Sequence, residues 1–278
     1  MRRNVVSAAF LLVCLACAEV VDAAGASAPT FYARRDYPDY GDTGLAVADT
    51  NGDGIPDVIE RGGLGHVAVL FGNGNGTFRP GPVSQPGMGP VTFAVADLNG
   101  DHKADLVLAG TQNATGGGAW GITWGIGVSL GNGDGTFQPA VFYQAGTDAN
   151  TDYVAIGDFN GDGILDVATV GSSGIRLFTG KGGGAFNPGV LIPFEGASPT
   201  NYTWLKAADS RNNGTLDLVV APPSGFAVLL GNGNGSFQPQ QNFTLPHQPE
   251  TFCPFVVGSL SKNGYSVAQW SAVVVAAP

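Results

Sequence analysis

Apolar positions along this chain come in short runs, and no window sustains a helical period. Four runs stand out, at residues 45–48, 91–96, 153–156 and 204–208. Continuous apolar runs of this length suit strands buried on both faces. Each is followed by a loop of Asp, Asn and Gly, then by a second run at 58–59, 106–108, 167–170 or 218–220. A glycine-bearing hairpin leads to a third run, at 67–71, 127–130, 175–178 or 227–230. A second glycine-rich turn leads to a fourth strand, of the type seen at 137–143. The pattern predicts units of four short strands near 44–90, 91–150, 151–202 and 203–250, with a degenerate unit over 251–278.

The units also repeat residue by residue. The first motif is D-x-N-x-D-G-x-x-D, and its first copy is Asp49, Asn51, Asp53, Gly54 and Asp57. The second copy is Asp97, Asn99, Asp101, His102 and Asp105, and the third is Asp158, Asn160, Asp162, Gly163 and Asp166. A worn fourth copy has Asp209, Arg211, Asn213, Gly214 and Asp217. The second motif, G-x-G-x-G-x-F-x-P, starts at Gly72, Gly131, Gly180 and Gly231. It trails the first by 23, 34, 22 and 22 residues, so the second unit carries an insertion within 110–125. Four strands per unit, repeated radially, predict an all-β propeller. Residues 24–278 have room for five such blades, and the degenerate end also fits an incomplete seven-bladed ring.

The pairing of these two motifs resembles FG-GAP (also called VCBS) repeats, which are similar to those of the integrin α-subunit N-terminal propeller. The resemblance implies calcium loops between the first and second strands of each blade. It also implies a ligand face at the opposite end, formed by the 2–3 hairpins and the 4–1 connections. On that face fall Trp120 and Trp124 of the insertion, and Tyr202 and Trp204 ahead of the fourth acidic loop. Exposed aromatics with polar neighbours suit protein or sugar recognition.

The chemistry of the acidic loop is independent of that resemblance. Ca²⁺ takes about six to eight oxygens in irregular geometry. Side chains at positions 1, 3, 5 and 9, with the carbonyl at 7, supply oxygens from one loop. The first set is Asp49, Asn51, Asp53, the Ile55 carbonyl and Asp57. The second is Asp97, Asn99, Asp101, the Lys103 carbonyl and Asp105, and the third Asp158, Asn160, Asp162, the Ile164 carbonyl and Asp166. Clustered carboxylates repel one another unless something neutralises them, which favours an ion. His102 replaces glycine, and His enters the left-handed region more readily than most residues. In the loop from Asp209 to Asp217, Arg211 stands where an oxygen belongs, so metal is not expected there. Residues 49–60 also match an EF-hand loop, but the other copies lack its terminal Glu and the flanks are not helical.

Composition narrows the classes further. The net charge is −10, with 12 Lys plus Arg against 22 Asp plus Glu and no basic block, which excludes nucleic-acid binding. Hydrophobic content of 44% excludes disorder. Residues 1–23 read as a signal peptide: Arg2 and Arg3, an apolar stretch too short to span a membrane, then small residues around Ala23. Export to the cell surface, periplasm or medium is expected, with no transmembrane helix in the mature chain. Cys14 and Cys17 fit a lipobox poorly, and their removal leaves Cys253 without a disulfide partner.

No catalytic set emerges. Gly127, Ser129 and Gly131 match G-x-S-x-G, but Ser129 aligns with Val69, Leu177 and Leu229 of a repeated strand. The three His residues lack metal-ligand spacing. The expectation is a non-enzymatic, calcium-bound, exported binding or adhesion module for a protein or glycan ligand. The alternatives are a lectin, a polysaccharide-acting enzyme or a purely structural envelope protein.

Overall fold

A computed structural model describes residues 44–62, 65–113, 122–146, 153–171, 173–195, 204–221 and 225–244. They form four sheets of four antiparallel strands. The first sheet is β1 (Leu45–Ala48), β2 (Asp57–Arg61), β3 (Val67–Gly72) and β4 (Phe78–Ser84), paired in chain order. The second is β5 (Gly89–Ala96), β6 (Asp105–Asn113), β7 (Ile122–Ser129) and β8 (Val141–Gly146). The third has β9 (Tyr153–Gly157), β10 (Asp166–Gly171), β11 (Gly174–Phe178) and β14 (Val190–Ile192). A small hairpin, β12 (Gly180–Gly182) with β13 (Ala185–Phe186), intervenes before β14. The fourth is β15 (Trp204–Ala208), β16 (Asp217–Ala221), β17 (Gly225–Leu229) and β18 (Gln241–Thr244).

The register is the same in every first hairpin. Ala48 pairs with Asp57, Ala96 with Asp105, Gly157 with Asp166 and Ala208 with Asp217. Each acidic loop is therefore the connection between the first two strands of its sheet, with its ninth residue opening the second strand. One expectation is corrected in detail. The fourth strand does not always begin at the motif phenylalanine. Phe137 and Phe237 make only isolated bridges to Gly131 and Gly231, and the ladders start at Val141 and Gln241. Pro139 and Pro239 offer no N–H to the ladder. In the first sheet Pro80 pairs with Leu70, and the register shifts between that pair and Ala68 with Val83.

The apolar runs fill the spaces between sheets. Ile59, Val69, Leu106, Leu108 and Phe137 pack between the first and second sheets. Val107, Ile126, Val167, Phe178 and Phe186 pack between the second and third. Phe159, Ile175, Leu205, Leu218 and Leu229 do so between the third and fourth. Each such side chain contributes about 1.5–3 kcal/mol by leaving water. β10 is buried on both faces, whereas the first strands, whose apolar runs predict this, are only partly buried. First strands lie side by side, β1 with β5, β5 with β9 and β9 with β15. The arrangement matches blades of a propeller-like repeat fold. On β1, Leu45 is 74% and Val47 61% exposed, although their counterparts Phe93, Val95, Val154, Ile156 and Leu205 pack against a neighbouring sheet.

The insertion lengthens a hairpin: β6 and β7 stay paired out to Asn113 and Ile122, with Trp124 opposite Thr111. Residues 1–23, expected to be a leader, Trp120, Tyr202, Cys253 and the expected degenerate unit at 251–278 lie outside the described residues. Among the described residues, no helix is long and apolar enough to cross a membrane.

Candidate metal centre

The three acid-rich loops adopt one hydrogen-bonded shape. Asp49 accepts the N–H groups of Gly52 and Gly54, each at 2.8 Å. Asn51 accepts from Asp53 at 2.9 Å, and Asp53 from Ile55 at 2.8 Å. The second loop repeats this with Asp97 on Gly100 and His102 at 2.7 and 2.9 Å, Asn99 on Asp101 at 2.8 Å, and Asp101 on Lys103 at 3.0 Å. The third does so with Asp158 on Gly161 and Gly163 at 2.6 and 2.9 Å, Asn160 on Asp162 at 2.9 Å, and Asp162 on Ile164 at 2.8 Å. Position 6 needs positive φ: Gly54 has +79° and Gly163 +80°. His102 takes the same conformation at +64°, as its substitution for glycine requires.

The ninth residue is built differently from the rest of the loop. Asp57, Asp105, Asp166 and Asp217 are all 0% exposed. One oxygen of each takes the N–H of loop position 2: Thr50 at 3.0 Å, Leu98 at 2.9 Å, Phe159 at 3.0 Å and Ser210 at 3.2 Å. The other takes the first glycine of the second motif: Gly72 at 2.9 Å, Gly131 and Gly180 at 2.8 Å, and Gly231 at 2.9 Å. The two motifs are thus joined by a buried carboxylate. That glycine also lies against the backbone. A Cβ on Gly72, Gly131, Gly180 or Gly231 would stand 2.1–2.4 Å from the carbonyl oxygen of loop position 8.

A second link crosses between sheets. The carbonyl of loop position 2 accepts the N–H of the last glycine in the next sheet's turn. Gly135 bonds Thr50 at 3.0 Å, Gly184 bonds Leu98 at 3.2 Å and Gly235 bonds Phe159 at 2.9 Å. Each of the first three acidic loops is therefore tied both to its own blade and to the following one. Sequence reasoning found both motifs but missed these links, because no residue spacing reports which N–H a carbonyl will face.

The electrostatics separate the groups. Burial opposes ionisation of Asp49, but the Gly54, Gly52, Asn51 and Asp53 amides outweigh it and hold its carboxyl below the ordinary value. The loop's own amides are thus a source of neutralisation besides an ion. Burial pushes Asp105 and Asp166 up, and nearby carboxylates add to this. At Asp217 burial is outweighed by hydrogen bonds from Ser210 and Arg211, and the carboxyl is lowered. Carboxyl-carbon NMR titration of the metal-free protein should therefore place Asp217 below Asp105 and Asp166. The stability consequences are opposite in sign. The contribution of Asp217 is full above the unfolded value of 3.8 and is lost as pH falls through its lowered value. Asp105 and Asp166 are favoured protonated, so their contribution fades as pH rises from 3.8 through their raised values.

The predicted ligand sets stay together within each loop. Asp49, Asn51 and Asp53, with their equivalents, border the solvent side, while Asp57, Asp105 and Asp166 approach from the blade. Among the described residues, no three His, Cys, Asp or Glu side chains converge closely enough to hold a metal by themselves. The donor set fits a hard cation in kind: carboxylate, amide and backbone oxygens, with no imidazole or thiolate. At the opposite end of the first strands, Tyr153 and Trp204 stack with centroids 4.5 Å apart. The Trp204 Nε1 is buried without a hydrogen-bond partner. Trp124 is half-buried on β7. The Tyr153–Trp204 pairing was invisible in sequence, since 51 residues separate the two rings.

The FG-GAP-like repeat model matches residues 49–108 and 158–220. No curated protein matches the chain. Among solved structures, it resembles an Agrocybe aegerita lectin described for specific recognition of non-reducing terminal N-acetylglucosamine. That likeness is 22% identity over 74% of this chain and 66% of the other, with TM-score 0.39. The Photorhabdus luminescens Tc holotoxin pore matches at 18% identity over 76% of this chain and 10% of the other, with TM-score 0.41. The V. cholerae biofilm matrix protein Bap1 matches at 20% identity over 72% and 28%, with TM-score 0.40. The chain spans under two thirds of each of these proteins. Two repeated motifs in four sheets, joined by one buried carboxylate per sheet and matched twice by the family model, identify FG-GAP-like repeats at residues 49–108 and 158–220 of this chain.

Proposed function

We propose that this protein is an exported, calcium-stabilised binding module with no catalytic activity. The observation that carries the metal reading is the repeated oxygen-only loop. Its half-buried Asp49 and Asn51 and exposed Asp53 share one short segment with a buried Asp57, and the pattern recurs at 97–105 and 158–166. In each loop, positions 1, 3, 5 and 9 and the carbonyl at 7 would hold Ca²⁺. In the second and third loops the ion would neutralise Asp105 and Asp166, whose charged forms burial and nearby carboxylates disfavour. Because position 2 is bonded to the next sheet, an ion that firms the loop also firms the junction between blades. Residues 1–23 supply the export signal in this reading.

Differential scanning calorimetry tests it. Chelation with EDTA should lower the melting temperature, and excess Ca²⁺ should restore it. Each site contributes about 2.7 kcal/mol when the free ion is 100-fold above its dissociation constant. An unchanged melting curve in EDTA would remove calcium from the proposal.

For the ligand, the aromatic pair of Tyr153 and Trp204 favours a glycan over a purely structural role. Stacked aromatic rings at the end of the sheets opposite the acidic loops suit packing against a polyhydroxylated ring. Trp204→Ala should abolish signals from wild-type protein on a glycan array while leaving calcium binding intact. A wild-type protein silent on glycans but active in a hydrolase or lyase panel would reverse this reading.

A further inference from the structure

We propose that Arg211 is a built-in replacement for the metal ion in the fourth acidic loop. This rests on the calcium reading of the other three loops. Arg211 stands at position 3, where those loops have Asn51, Asn99 and Asn160. The substitution reverses the polarity of the position, from an oxygen that accepts to a guanidinium that only donates.

The geometry shows what the guanidinium does there. Its Nη2 lies 2.7 Å from Asp217 Oδ1, 2.9 Å from Thr215 Oγ1 and 2.6 Å from the Gly231 carbonyl oxygen. Asp217 and Thr215 are positions 9 and 7, two of the positions that share the ion in the other loops. Gly231 is the first glycine of the second motif, so the same side chain also grips the turn. The Asp217 side chain is 0% exposed and that of Arg211 30%. A charge-assisted bond in such a place is stronger than one in open solvent.

The rest of the loop keeps the shape of its metal-type siblings. Asp209 accepts the Asn213 and Gly214 amides at 3.0 and 2.8 Å, and Gly214 has φ +81°. Asp217 still joins Ser210 to Gly231. The fold of the loop has therefore been kept while its cation has become part of the chain. A tethered cation cannot dissociate, so this blade is held closed whatever the calcium concentration. The protein would combine three chelation-sensitive loops with one that is permanently neutralised.

The test uses the full chain and two loop-four variants, with calcium counted by equilibrium dialysis. Arg211→Asn combined with Asn213→Asp restores the oxygen pattern of the first loop and should bind one ion more than wild type. Asn213→Asp alone adds the same carboxylate but keeps Arg211, and should bind no extra ion. Melting in EDTA gives a second readout: the double variant should melt below wild type, and Ca²⁺ should return it to the calcium-loaded wild-type temperature. An unchanged stoichiometry in the double variant, or an extra ion with Asn213→Asp alone, would overturn the proposal. If wild type takes no calcium but the double variant takes one ion, the function proposed above fails and this inference stands. If wild type takes three ions and the double variant also three, this inference alone fails.

Discussion

Asp166→Ala should cost roughly 4 kcal/mol of folding stability, measured by chemical denaturation in EDTA. The carboxylate is 0% exposed and is the shared acceptor for the amides of Phe159 and Gly180, at 3.0 and 2.8 Å. Truncation leaves both N–H groups buried and unpaired. Each orphaned donor costs about 1–3 kcal/mol, and a small cavity adds to the sum. The loss also loosens the Phe159 segment, whose carbonyl holds Gly235 of the fourth sheet at 2.9 Å. The Asp162→Ala variant provides the contrast. Asp162 is exposed and its side chain serves its own loop, accepting the Ile164 amide at 2.8 Å. In EDTA it should change stability by well under half as much, yet in calcium it should abolish that loop's ion. Equal effects of the two variants in EDTA would refute the division between a buried clamp and an exposed ligand edge.

Gly231→Ala should destabilise the protein by about 3 kcal/mol, with steric overlap as the cause. A Cβ there would sit 2.1 Å from the Leu216 carbonyl oxygen, a backbone atom that cannot swing aside. Either strand β16 or the turn must shift, and the Gly231 amide then loses Asp217 at 2.9 Å. Overpacking of this kind costs about 1–3 kcal/mol, and the weakened hydrogen bond adds to it. No metal is expected in this loop, so added calcium should rescue none of the loss. Gly214→Ala tests the other role of glycine. Its Cβ would meet nothing within 4 Å, and only φ +81° opposes it. That change should cost about 1–2 kcal/mol, the strain of a left-handed alanine. A Gly231→Ala protein as stable as wild type would mean that the turn does not approach Leu216 so closely.

Much of this architecture could be read from residue order. The apolar runs at 45–48, 153–156 and 204–208 became first strands, but they are only partly buried, with Leu45 and Val47 on β1 74% and 61% exposed, so burial on both faces was not legible from the runs. The acidic loops were found as hairpin connections because Asp, Asn and Gly supply their own local hydrogen bonds. His102 could be placed in a left-handed turn from its position alone, and it has φ +64°. Local rules sufficed there because the interactions span only a few residues. They failed for Phe137 and Phe237, where a motif that reads as strand forms only a single bridge.

The sequence by itself determined the repeat, the strand count per unit, and the oxygen pattern that marks the candidate metal loops. It also singled out Arg211 as foreign to that pattern. Only the tertiary structure decided what the ninth aspartate does. It reads as a fourth ligand, but it is also a buried clamp between two motifs at least 14 residues apart. Only the structure decided that the first three loops are bonded to the following blade, and that Arg211 reaches Asp217, Thr215 and the Gly231 carbonyl. The reason is range. Dihedral preference and local hydrogen bonding act between near neighbours and are written in residue order. Which amide meets which buried oxygen depends on how separate sheets pack, and packing is a property of the folded whole.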